Sequence, residues 1–141
     1  MLEQRPLVLI VEDNDDTREL YTESLRFAGF DVVTAATVED GYRFATSVRP
    51  AVVVMDLRLP DASGAELCDR FKNDVRTSDI PTLVVTASAH RGNLESALAR
   101  GCSVVRLKPY LPEALEQDLR ALLAGHRIPR WPPEYEGRDG V

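Results

Sequence analysis

Leu7-Val8-Leu9-Ile10-Val11-Glu12-Asp13 is an apolar run closed by two acids, and Val52-Val53-Val54-Met55-Asp56 repeats the pattern with one acid. An unbroken apolar run, without polar alternation, reads as a strand covered on both faces, which is the condition of a parallel sheet between helices. The acids then stand at strand ends. If the two strands are parallel neighbours, three carboxylates converge at one sheet edge, where like charges repel unless a cation or a proton intervenes.

Working outward from these runs, strand-like and helix-like stretches alternate, the mark of an α/β domain with helices on both faces of a parallel sheet. A first helix is predicted from about Asp15 to Ala28. Tyr21, Leu25 and Ala28 give it an apolar stripe, Asp15 and Asp16 suit the positive end of its dipole, and Gly29 supplies a left-handed stop. A weaker strand, Val32 to Ala35, has the modest apolarity of a sheet edge. A second helix runs from Val38 to about Ser47, and the next strand from Ala51 to Asp56.

After the turn-prone Leu59-Pro60-Asp61, Gly64 precedes a helix carrying Leu67, Cys68 and Phe71. Leu83-Val84-Val85 ends at Thr86. A fourth helix holds Leu94, Ala97 and Leu98 before Gly101, and a fifth strand, Ser103 to Leu107, ends at Lys108-Pro109. The last helix starts near Pro112, where a missing amide donor costs least, and ends at Gly125. Residues 1–125 thus form one domain. Residues 126–141, with Pro129, Pro132 and Pro133 among charges, read as a flexible tail. Trp131 is its large apolar anchor, and docking on the body or on a partner is the alternative for it.

The chain has 141 residues, long enough to bury a five-strand core. Its 17 Lys and Arg against 23 Asp and Glu, net −6, argue against capture of nucleic acid or an anionic membrane and favour a protein partner. No segment approaches the ~20 apolar residues that span a bilayer, so a cytoplasmic location is expected. Cys68 and Cys102 are far apart in sequence and lack metal-ligand spacing, so two reduced thiols in or near the core are expected. His90, with no second histidine nearby, reads as an exposed loop residue.

In an open parallel sheet, ligands bind beyond the carboxyl ends of the strands, where strand order reverses. There the sequence places Glu12 and Asp13, Asp56, Thr86 and Lys108: acids, a hydroxyl and a cation on one rim. That mixture fits phosphoryl transfer to a carboxylate. Mg²⁺ takes oxygen ligands from one or two carboxylates plus phosphate oxygens, so Asp13 and Asp56 suit it, with Glu12 acting directly or through water. Asp56, on the central strand, is the candidate nucleophile. Lys108 and the Thr86 hydroxyl are placed for the remaining phosphoryl oxygens, and small Ala87 leaves backbone access.

Glu12-Asp13, Asp56 followed by Leu57-Arg58-Leu59-Pro60-Asp61-Ala62-Ser63-Gly64, Thr86-Ala87 and Lys108-Pro109-Tyr110 stand in order, each at the end of its strand. Over about Leu7 to Gly125 this resembles the receiver domain of two-component response regulators, a stand-alone, chemotaxis-regulator-like one. The resemblance implies a flavodoxin-like (βα)5 three-layer sandwich with strand order 2-1-3-4-5. It implies that Asp56 accepts a phosphoryl group from a histidine kinase or phosphotransfer protein, with Mg²⁺ held by Glu12, Asp13, Asp56 and the backbone carbonyl of Arg58. It also implies a cis peptide before Pro109, and signalling to a further protein through the face of the fourth helix, fifth strand and fifth helix, or by phosphorelay. No enzymatic activity is expected beyond the protein's own phosphorylation and dephosphorylation on Asp56.

The chain departs from the family at Val105, where receivers usually carry an aromatic residue three positions before the lysine. Phosphorylation does not depend on that ring, but the usual aromatic relay does. A receiver-like binding module that works without phosphorylation is therefore the alternative function. An aspartyl phosphatase would need a second acid where Arg58 stands.

Overall fold

A computed structural model describes residues 5–135. The strands are β1 (Leu7–Val11), β2 (Asp31–Ala35), β3 (Val52–Asp56), β4 (Thr82–Thr86) and β5 (Val104–Leu107). All pair in parallel in the order β2-β1-β3-β4-β5, as the resemblance implies. The helices are α1 (Asp15–Phe27), α2 (Val38–Val48), α3 (Gly64–Lys72), α4 (Arg91–Ala99) and α5 (Pro112–Leu123), with a short 3-10 turn at Pro133–Tyr135. None is long and apolar enough to cross a membrane.

Alternate strand residues feed two cores. Val8, Ile10, Val52, Val54, Leu83, Val85 and Val104 pack under α1 and α5 with Leu25, Phe30, Leu115 and Leu119. Leu9, Val11, Val53, Met55, Val84 and Val105 face α2, α3 and α4 with Leu67, Phe71, Leu94 and Ala97. Every residue of β3 and β4 is buried, which is why those segments carry no polar alternation. A fully buried leucine or phenylalanine of this kind contributes roughly 1.5–3 kcal/mol relative to exposure.

Local chemistry sets the helix ends. Asn14 caps α1, its side chain accepting from Thr17 N–H, and Gly29 follows with φ +107°, as its role in the stop requires. Thr37 caps α2 by accepting from the Asp40 N–H, while the Asp61 carboxylate accepts from the Val38 and Glu39 N–H groups at 2.9 and 3.1 Å. One loop carboxylate thus satisfies donors that a helix start leaves without partners. At the outer edge of β2, Arg26 donates to the Val32 carbonyl, and Arg5 ties Asp31 to the Arg26 and Phe30 carbonyls.

Two expectations need correction. Cys68 on α3 and Cys102, between α4 and β5, form a disulfide with Cα atoms 5.3 Å apart, not two reduced thiols. Their separation of 34 residues hides that the α3–α4 layer makes them neighbours. Residues 126–135 are not a free tail: they lie along β5 and α5, with Trp131 and Tyr135 against the α3–α4 core and Ile128 against the other. Residues 136–141 of the expected tail lie outside the described residues.

Candidate functional site

Strand register assembles the site. Val11 pairs with Met55, so Glu12 and Asp56 follow at the same level on adjacent strands. Asp56 pairs with Val85 and Thr86 with Leu107, which brings Thr86 and Lys108 to the same rim. The Lys108 N–H donates to the Thr86 carbonyl at 2.8 Å, extending the ladder by one bond. Strand order reverses between β1 and β3, and the acids sit on those two strands.

Glu12, Asp13 and Asp56 each offer a carboxylate oxygen, and these oxygens lie within 4.8 Å of one another. Glu12 is 4% exposed and Asp56 9%, while Asp13 is open to solvent. The Lys108 ammonium lies 2.8 Å from Asp56 Oδ2 and 3.2 Å from Glu12 Oε1, tying two of the acids together. Burial pushes the Glu12 carboxyl up, the Asn14 N–H draws it down, the Asp56 charge pushes it up again, and the net direction is upward. Burial alone would lower Lys108, but its hydrogen bond to Asp56 and the two acidic charges outweigh that and raise it. Lys108 is therefore a fixed cation at neutral pH and not a proton carrier.

Both oxygens of Asp56 have partners, Oδ2 the lysine and Oδ1 the Arg58 N–H at 3.0 Å, so the carboxylate is held in one orientation. The loop that delivers this N–H is tight. The Gly64 N–H donates to the Leu57 carbonyl at 2.8 Å, Arg58 and Ser63 form an isolated bridge, and a Cβ on Gly64 would meet the Asp56 carbonyl oxygen at 2.3 Å. Only glycine lets α3 start so close to the end of β3.

Thr86 is 1% exposed, and its Oγ1 accepts from the Ser88 N–H at 3.1 Å. Ala87 is exposed and small. A cleft of about 380 Å³ opens beside the rim, lined by Leu57, Arg58, Thr86 and Ser88 among others. The Lys108–Pro109 peptide is cis. Val105 is fully buried in the α3–α4 core, so β5 presents an isopropyl group at that place.

Every sequence-predicted carboxylate, with Thr86 and Lys108, thus stands on one rim. Hard oxygen donors clustered around a carboxyl raised by burial are the donor set that a small divalent cation such as Mg²⁺ takes. Among the described residues, Glu12, Asp13 and Asp56 are the side chains grouped closely enough to hold it. Sequence reading missed Arg18, which donates to the Glu12 carbonyl at 2.9 Å, and Arg106, which is 4% exposed and pairs with Asp118 at 2.9 Å. A charge inside the apolar run Val104-Val105-Arg106-Leu107 was the signal for the second.

A family model described as the response regulator receiver domain matches residues 8–120. The chain is 32% identical over 126 residues to the DNA-binding dual master transcriptional regulator RpaA of Synechocystis sp., a match covering 89% of this chain and 52% of that protein. It is 31% identical over 102 residues to the polar-differentiation response regulator DivK of Brucella anthropi, covering 72% of this chain and 83% of that one. Among solved structures, it is similar to the receiver domain of a sensor histidine kinase from Pseudomonas aeruginosa PAO1 with a magnesium ion coordinated in the active site cleft. That match has a TM-score of 0.80 and 26% identity, over 86% of this chain and 99% of that one. The chain spans about half the length of the first curated relatives it matches.

Proposed function

Because the chain belongs to the response regulator receiver domain family, we propose that Asp56 accepts a phosphoryl group from a histidine kinase or phosphotransfer protein, with Mg²⁺ as cofactor, and signals by altered protein binding or by relay. The observation that carries this reading is the rim itself: a buried carboxylate fixed by Arg58 N–H and Lys108, with two more acids within reach.

The geometry of the rim supports such a transfer. An Asp56 carboxylate oxygen forms the new bond to phosphorus as the bond from phosphorus to the donor nitrogen breaks, and the imidazole leaves with that electron pair. When bound, Mg²⁺ would be held by Glu12, Asp13 and Asp56, with the Arg58 carbonyl that the resemblance implies, and would supply charge neutralisation for the transfer. Lys108 keeps its proton throughout and trades part of its contact with Asp56 for a phosphoryl oxygen. The Thr86 hydroxyl donates to another oxygen and Ala87 leaves its N–H accessible. The reaction is the protein's own, on and off Asp56, with no turnover of an outside substrate.

Incubation with Mg²⁺ and acetyl phosphate should add one phosphoryl mass to the wild type and none to Asp56→Ala, read by intact-mass spectrometry. No added mass with any phosphoryl donor would overturn the reading. Val105 favours a second one, a binding module of the same fold that works without phosphorylation. In that case Asp56→Asn leaves partner binding and cellular output intact. A cytoplasmic location fits either reading.

A further inference from the structure

Residues 129–135 lie along the open side of β5 and end at the switch loop. At the bottom of β5, the Arg130 guanidinium donates to the carbonyls of Leu98 in the last turn of α4 and of Cys102 and Ser103 in the link to β5, at 3.0–3.1 Å. Beside it, the Arg130 carbonyl accepts the outward N–H of Val105 at 2.8 Å. Arg106 reaches out from the strand to the carbonyls of Pro129 and Trp131 at 2.9 and 3.2 Å. Nearer the top, Trp131 is half-buried against the α3–α4 core, with the Arg91 guanidinium 5.5 Å from its ring and Tyr135 at 5.7 Å. The Tyr135 hydroxyl then donates to the carbonyl of Ala89.

Ala89 is three residues beyond Thr86, and Ser88 between them is bonded to the Thr86 hydroxyl. A phosphoryl group on Asp56 offers Thr86 a strong acceptor, and the hydroxyl that turns toward it either carries Ser88 along or releases it. Where Ser88 is carried along, the loop from 87 to 90 moves with it, and so does the carbonyl that holds Tyr135. Within β5 the valine at 105 has no side chain able to register that movement. The aromatic groups at the loop come from the C-terminal segment.

We propose that residues 129–135 are a displaceable strap, seated in a groove formed by the β5 edge and α4 while Asp56 is unmodified, and unseated when a phosphoryl group draws Thr86 and its loop inward. The vacated groove offers a strand-edge N–H, the Leu98, Cys102 and Ser103 carbonyls and an apolar socket, and its resident occupant is the Arg130-Trp131 stretch itself. The inference rests on phosphorylation of Asp56.

Trp131 is the chain's one tryptophan, so the full chain carries its own probe. Acetyl phosphate with Mg²⁺ should make Trp131 emission shift to the red and its acrylamide quenching rise at least about twofold, with no change in Asp56→Asn. Intact mass on the same samples separates the two ideas. A phosphoryl mass with unchanged or reduced quenching overturns the strap and leaves the proposed function standing, whereas no phosphoryl mass overturns both. Because coupling between sites is reciprocal, Trp131→Ala should bind beryllofluoride with Mg²⁺ roughly fivefold or more tightly than wild type by calorimetry. Equal or weaker affinity overturns the strap.

Discussion

Glu12 is buried between Asp56 and Lys108 with its carboxyl pushed above the ordinary value of 4.5, and the sign of that shift sets a pH dependence. A carboxyl raised on folding favours the folded state below its unfolded value, and that contribution is lost as pH rises through the folded value. In metal-free protein Glu12→Gln should therefore raise Tm relative to wild type near neutral pH and change it little below about pH 4.5. A thermal series in chelator across pH 4 to 8 checks this. The same substitution should weaken Mg²⁺ binding, the trade between stability and activity usual at a site of like charges. Gly64→Ala tests the other tight point. Its Cβ would meet the backbone of Asp56, so Tm should fall by the equivalent of roughly 1–3 kcal/mol and phosphorylation by acetyl phosphate should slow.

At the scale of elements, α2 depends on a carboxylate from another loop. Its hydrogen bonds from Val38 and Glu39 hold Asp61 below the ordinary 3.8, so the stabilisation is present above that value and fades as pH falls below it. Asp61→Ala should destabilise by about 1 kcal/mol at pH 7, as cap removals do, with the loss shrinking in acid, measured by denaturant melts. The strands and their terminal acids were legible in the sequence because an apolar run and the charge that ends it are contiguous. Asp61 capping α2, Cys68 meeting Cys102 and Arg106 gripping Pro129 were not, because each partner lies 22 or more residues away and their meeting depends on strand order. Residues 126–135 misled for the opposite reason. Their prolines fit an extended strap as well as a loose tail, and only the open edge of β5 distinguishes them.

Across the whole molecule, the disulfide closes the α3–α4 layer on the side away from the acids, since Cys102 precedes the start of β5. Closing a loop of 34 residues restricts the unfolded chain, so reduction should lower stability by about 2–4 kcal/mol, seen as a drop in Tm on adding reductant. Phosphoryl mass uptake should persist after reduction below the new Tm, because neither sulfur belongs to the rim. The two outer strands carry a different consequence. Unpaired strand edges invite other chains to stack on them, and here arginines and the C-terminal segment occupy polar groups along both flanks. If one flank is uncovered only during signalling, the molecule is sticky only while it is switched on, and crowding in storage or at high expression leaves it monodisperse.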